Sequence, residues 1–303
     1  MPEQYDLIVL GAGAAGYFAA INAKILAPQM DVCILEGSAK VLSKVAVSGG
    51  GRCNVTHDSH SIAALSKAYP RGKSFLKKAF KQFWVPDMIE WFTLRGVELK
   101  VEEDGRMFPV SDDSQTIIDC FEKQRIELGI TLITKSRIVQ IDNIENSFVL
   151  KGRSEKYQAK QLLVATGGHS KLEQFSYMSK LNLTIEPPCP SLFTFNLPKQ
   201  PITELMGLSV ANVKVVIPKL GKESFGPLLI THWGMSGPAI LVSSSVCAKE
   251  MAAMQYEFDF YVDWLPNMTL NEINFSSSQQ MGNLYPNEIP KRLWYFFLDK
   301  SKI

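Results

Sequence analysis

Near the amino terminus, Tyr5 to Gly16 read YDLIVLGAGAAG, an apolar run that breaks into glycines spaced G-x-G-x-x-G, and Glu36 closes a second apolar run twenty residues after the last of them. Those residue types at that spacing suit a dinucleotide. A buried parallel strand over Leu7 to Leu10 needs a tight turn at Gly11. Gly13 has no side chain to hold a pyrophosphate off the backbone, and Gly16 lets the next helix, opening with Ala14 and Ala15, pack close to the strand. The phosphates then meet the unpaired N–H groups and the positive dipole end of that helix. Glu36, ending a strand over 31–35, is placed to accept hydrogen bonds from ribose hydroxyls, and its charge repels a 2′-phosphate. The site suits FAD or NAD rather than NADP, and the glycines alone do not choose between the two.

A second cluster, KVAVSGGGRCNVT from Lys44 to Thr56, sets Gly49, Gly50 and Gly51 beside Ser48, Arg52, Cys53 and Asn54. Three consecutive glycines cost backbone entropy, which implies that main chain approaches something closely. Directly after the ribose-binding strand, such a loop runs along the far side of an extended cofactor; a flexible linker would carry serines and no Arg-Cys-Asn. Cys53 is either a redox or nucleophilic thiol or a cysteine packed under the loop, and no second cysteine lies near enough in sequence for dithiol exchange. His232, in THWG, is either a proton carrier near a substrate or a histidine satisfied by backbone at a turn. His169 follows a glycine pair and reads as a loop residue near the cofactor. No serine-histidine-acid set can be assembled, so hydrolase chemistry has no support, and no metal site is expected.

With these motifs the chain resembles the bacterial HI0933-like flavoproteins, a branch of the two-dinucleotide-binding-domain flavoproteins. The matching segments are GAGAAG at 11–16, Glu36, SGGGRCN at 48–54, DGRMFP at 104–109, ATGG at 165–168 and THWGMSGP at 231–238. The resemblance implies FAD as cofactor and an FAD-dependent oxidoreductase, with Ala165, Thr166 and Gly167 as further cofactor contacts and Ile138 near the adenine. It implies little about substrate. It also implies that the second domain is an insertion, after which the chain returns to the first domain with a glycine-rich segment like GGYN that covers the flavin. No such segment follows Pro238 before the sequence ends at Ile303, so the expectation is a fragment that lacks the returning segment, the alternative being a departure from the family pattern. Only one nucleotide fingerprint is present, so either NAD(P)H docks transiently on the flavin or a small-molecule substrate reduces it directly. The alternatives are a catalytically silent FAD-binding module and an NAD-dependent dehydrogenase using the single fingerprint.

A chain of 303 residues suffices for two domains, and a 46% hydrophobic share can fill their cores. The expected class is α/β: a Rossmann-like FAD-binding domain over 1–188 with a helical excursion at about 60–110, then a β-rich, barrel-like inserted domain over 189–303 beyond the PPCP stretch. Helices are expected at 14–26, 73–83, 86–95, from a cap at Ser111 or Asp112 to about 128, and at 239–249. Strands are expected at 130–135, 137–141, 147–150 and 161–165, forming a three-stranded antiparallel excursion that rejoins the parallel sheet. Further strands fall at 191–197, 209–217, 228–231 and 255–262, and the polar run 268–283 reads as a loop. The helix KSFLKKAFKQF at 73–83 carries four lysines opposite Phe75, Leu76, Ala79, Phe80 and Phe83, and reads as a solvated basic face over a small core. A net charge of +2 gives no field that implies nucleic acid. No apolar run is long enough to span a membrane, and the five cysteines lack metal or C-x-x-C spacing, so reduced thiols and a cytoplasmic location are expected, with neither nucleic acid nor membrane as partner.

Overall fold

The computed structural model describes residues 2–268 and 286–301; nearly all of the expected loop at 268–283 lies outside them. The chain divides into two compact units, Met1–Pro188 and Cys189–Ile303.

In the first unit the strands are β1 (Glu3–Leu10), β2 (Val32–Leu35), β3 (Thr56–His57), β4 (Leu99–Val101), β5 (Arg106–Pro109), β6 (Thr131–Ile133), β7 (Gln140–Ile144), β8 (Ser147–Lys151) and β9 (Lys156–Val164). A six-stranded sheet runs in the order β6-β2-β1-β9-β8-β7, and β3-β5-β4 form a smaller one. Strands β6, β2, β1 and β9 are parallel, and β8 and β7 extend the sheet antiparallel from β9. Every residue of β2 is buried, as is the second half of β1; parallel strands covered on both faces need such continuous apolar runs.

The helices are α1 (Ala14–Leu26), α2 (Ser43–Val47), α3 (Ile62–Lys67), α4 (Lys73–Ala79), α5 (Val85–Thr93) and α6 (Ser114–Glu127). Asp113 caps α6 by accepting from the Gln115 N–H at 2.9 Å. Of the two expected caps, Ser111 hydrogen-bonds Thr116 through its hydroxyl, and Asp112 stands at φ 53° and pairs with Lys100. Basic helix α4 stops at Ala79, four residues short of expectation. It leaves Leu76 half-buried and Phe75 74% exposed, so Phe75 does not join the small core assigned to it. Under the sheet, Tyr17, Trp91, Phe92 and Phe121 meet at ring separations of 5.0–6.0 Å.

The second unit is an antiparallel sheet of β10 (Phe195–Asn196), β11 (Ser209–Ile217), β12 (Lys222–Thr231), β13 (Gly234–Ser236) and β14 (Tyr261–Asp263), ordered β10-β13-β12-β11-β14. On it pack α7 (Pro238–Val246) and α8 (Ala248–Ala253), and α9 (Lys291–Ser301) adds the buried Leu293 to the core. One helix was expected over 239–249; Cys247, at φ −101° and ψ 19°, breaks it in two. At Gly234 an added Cβ would lie 2.0 Å from the Phe195 carbonyl oxygen, so β10 and β13 pair closely only because a glycine stands there.

Candidate cofactor site

Where β1 ends, the chain turns through Gly11 at φ 111°. A Cβ there would meet the Ala165 carbonyl oxygen at 2.5 Å, and one at Gly16 would meet the Gly11 carbonyl oxygen at 1.9 Å. Both glycines therefore hold β1, β9 and α1 together. Gly13 differs, because a Cβ added to it touches no protein atom within 4 Å. It would project instead into a cavity of about 710 Å³ that Gly13 helps to line, a size usual for small-molecule sites.

Around this cavity stand Gly11, Gly13, Ala14, Ala15, Glu36, Lys44, Ser48, Cys53, Asn54, Ala165, Thr166 and Gly167. Helix α1 points its N-terminus there with no capping side chain and no acidic residue in its first turn, so the orphan N–H groups and dipole stay available to an anion. Glu36 is held by two backbone donors, Ala12 N–H at 2.9 Å and Ser38 N–H at 2.8 Å. Each carboxylate oxygen keeps lone-pair capacity for a ribose hydroxyl. An uncapped helix terminus beside bare glycine, with a fixed carboxylate at the far end of β2, fits an adenine dinucleotide.

Six of the residues singled out in the sequence do not line the cavity. Gly16 is consumed in the contact between α1 and β1. Gly49, Gly50 and Gly51 all have positive φ. A Cβ at Gly49 would strike Phe108 at 2.7 Å, so this glycine serves packing of the loop on β5. Arg52 lies over the Phe108 ring at 4.0 Å and pairs with Glu102 and Asp112. Ile138 precedes β7 in a loop and is buried with Ile8, Leu10, Cys33 and Leu35.

Cys53 borders the cavity but is buried, and burial pushes its thiol above the ordinary value of 9.0, the opposite of what a nucleophilic thiolate needs. His232 belongs to the second unit, exposed in the turn between β12 and β13 with its ring 4.3 Å from that of Trp233. His169 packs edge-on against Phe175 at 4.7 Å, and its buried Nε2 has no partner among the described residues.

Sequence reasoning missed Phe18, Ser38, Lys40, Leu42, Met88, Phe92, Ile117 and Phe121, which also line the cavity. Ser38 and Lys40 were within reach, as neighbours of Glu36. The residues of α5 and α6 carry no local signal, because their apolar spacing is what any core helix shows.

Parallel sheet, glycine turn, uncapped helix and the Glu36 carboxylate together define a dinucleotide-binding protein, and the family match makes it an FAD-binding flavoprotein of the oxidoreductase class. The chain belongs to the HI0933-like family: residues 5–184 match the HI0933-like protein Rossmann domain and residues 189–303 the HI0933-like protein barrel and H2TH domain. Among curated relatives, a ribosomal RNA dihydrouridine synthase of Haemophilus influenzae is 29% identical over 99% of this chain and 76% of its own length. A protein of the same name from Escherichia coli is 28% identical, over 96% and 72%. A 3-dehydro-bile acid delta(4,6)-reductase of Clostridium scindens is 24% identical, over 88% and 66%. The expectation that nucleic acid is no partner is thereby overturned. It rested on net charge, and two relatives across nearly the whole chain are named for an RNA product. Among the described residues no helix is long and apolar enough to cross a membrane, and no cluster of His, Cys, Asp and Glu could hold a metal.

Proposed function

We propose that this chain is an FAD-dependent reductase that saturates a carbon–carbon double bond conjugated to a carbonyl, with uridine in ribosomal RNA as the substrate. The observation that carries this reading is the alignment of two ribosomal RNA dihydrouridine synthases over 99% and 96% of the chain, glycine turn and Glu36 strand included. Uridine becomes dihydrouridine when a hydride adds to the ring carbon β to the carbonyl and a proton to its neighbour. The bile acid relative is named for reducing the same kind of bond. Reduced FAD supplies the hydride when bound, and the protein supplies binding, orientation and exclusion of water.

In this reading Gly11, Gly13 and the amides of Ala14 and Ala15 hold the pyrophosphate, and Glu36 holds the ribose. Lys44, Ser48, Asn54 and the 165–167 backbone flank the remainder of the cofactor. The protonated Cys53 packs beside it as a neutral wall. NAD(P)H is the electron source, docking transiently because only one nucleotide fingerprint is present.

Anaerobic titration tests the proposal. FAD-loaded protein is bleached with NADPH or NADH and then mixed with deproteinised ribosomal RNA. Return of the yellow colour, with two hydrogens gained per modified uridine by mass spectrometry of the digested RNA, is the expected result. Reoxidation by a conjugated steroid ketone and not by RNA would transfer the proposal to small-molecule reduction. Bleaching by dithionite alone would indicate a silent FAD-binding module.

A further inference from the structure

The net charge of +2 hides a strong separation of charge. Between Asp58 and Asp87 stand six basic residues, Lys67, Arg71, Lys73, Lys77, Lys78 and Lys81, and not one Asp or Glu. The rest of the chain is therefore at −4, with 26 Lys and Arg against 30 Asp and Glu. All six are exposed, and none of the five lysines forms an ion pair among the described residues. Two aromatic rings stand out from the same surface, Phe75 at 74% exposure and Tyr69 at 40%. The surface is anchored to the cofactor site, since Phe83 packs on Phe18 at 5.1 Å and Phe18 lines the cavity.

We infer that the α3–α4 segment, residues 67–81, is an RNA-docking face, its lysines lying along phosphates and Phe75 stacking on an unpaired base; this rests on RNA being the substrate. Positive charge with no interleaved acid is the footprint of a polyanion site. Sequence-selective RNA contacts are made mainly to loops, whose splayed bases stack on aromatic side chains. An anionic membrane is the lesser fit. An interfacial helix lays a broad apolar face into lipid, whereas α4 spans seven residues, leaves Leu76 half-buried and offers Phe75 as its one large exposed apolar side chain.

The test uses the full FAD-loaded chain and deproteinised ribosomal RNA, with dissociation constants measured across a series of salt concentrations. Each phosphate contact contributes about 0.7 to 0.9 to the slope of log affinity against log salt. Combined K73Q, K77Q, K78Q and K81Q should therefore flatten the slope by about 3, with flavin content unchanged. F75A should weaken binding by roughly 5- to 100-fold without changing the slope. Neutralising four exposed lysines elsewhere, K156Q, K199Q, K219Q and K249Q, should leave the slope as in the parent. If the parent reduces ribosomal RNA but the α4 variant keeps the parent slope, or the control set flattens it equally, the docking face is overturned while the substrate reading stands. If the parent neither binds nor reduces RNA, the substrate reading falls and the docking face with it, and binding to phosphatidylserine vesicles would then assign the surface to membrane.

Discussion

Glu36 does two jobs. Its carboxylate accepts from the Ala12 and Ser38 amides and lines the cavity, and the proposed function adds the ribose to its partners. Glu36→Ala should weaken FAD binding by about 1–3 kcal/mol, the cost of leaving buried hydroxyls without acceptors, measured by fluorescence titration of apoprotein with FAD. Unchanged affinity would remove Glu36 from the ribose. Gly11→Ala makes a separate point, because its Cβ would meet backbone of the neighbouring β9 end at 2.5 Å. That variant should purify with little flavin and a lowered melting temperature, and a parent-like melting curve would contradict the packing described. Gly11 is legible in the sequence because tight turns and close approaches require a glycine. Gly49 was noticed for the same reason but assigned to the cofactor. Its demand for a bare Cα comes from a positive φ, the Asn54 backbone at 2.8 Å and the Phe108 ring at 2.7 Å; the ring, 59 positions along the chain, leaves no trace in local spacing.

Periodicity located most elements of the nucleotide-binding unit. Strands β7 and β8 pair antiparallel and β9 returns beside β1 as expected, because short alternating runs separated by turn residues admit few pairings, but the strand expected at 130–135 is β6, parallel to β2 and outside the excursion. Boundaries drifted where tertiary contacts decide them. Strand β9 begins at Lys156, five residues before expectation, because Lys156 to Ala159 pair with β8. The three-stranded sheet β3-β5-β4 went unseen, since pairs of two and three residues carry no pattern. The cavity wall formed by Phe92 of α5 with Ile117 and Phe121 of α6 was equally hidden. Phe121 is 4% exposed and packs on Tyr17, Trp91 and Phe92. Phe121→Ala should cost roughly 3–5 kcal/mol in urea unfolding of the FAD-loaded protein; a loss below 1 kcal/mol would mean that this cluster collapses around the gap.

Across the whole molecule, net charge misled because a sum over the chain hides where the charges stand, and buried thiols present a second case in which placement decides. The spacing of the five cysteines implies reduced thiols and nothing about pH, yet burial of four of them couples the fold to it. Desolvation pushes Cys33 up to about 12 and raises Cys53, Cys120 and Cys247 above 9.0. In the folded chain these thiols keep their protons to higher pH than in the unfolded chain. Stability is therefore at its full value below the unfolded thiol value of 9.0 and falls as pH rises from there towards about 12. Cys33, Cys53 and Cys120 belong to the nucleotide-binding unit, and Tyr5 and Tyr17 in the same unit are raised in the same direction, chiefly by burial. That unit should therefore lose stability first in alkali. Melting followed by flavin fluorescence should be flat from neutral pH to about 9 and then fall, ahead of the transition that reports on Trp264 in the other unit. Cys33→Val, close in volume and without a titrating proton, should reduce the alkaline fall while leaving the neutral melting temperature within a few degrees. A parent-like alkaline profile in Cys33→Val would show that the buried thiol is not what links this unit to pH.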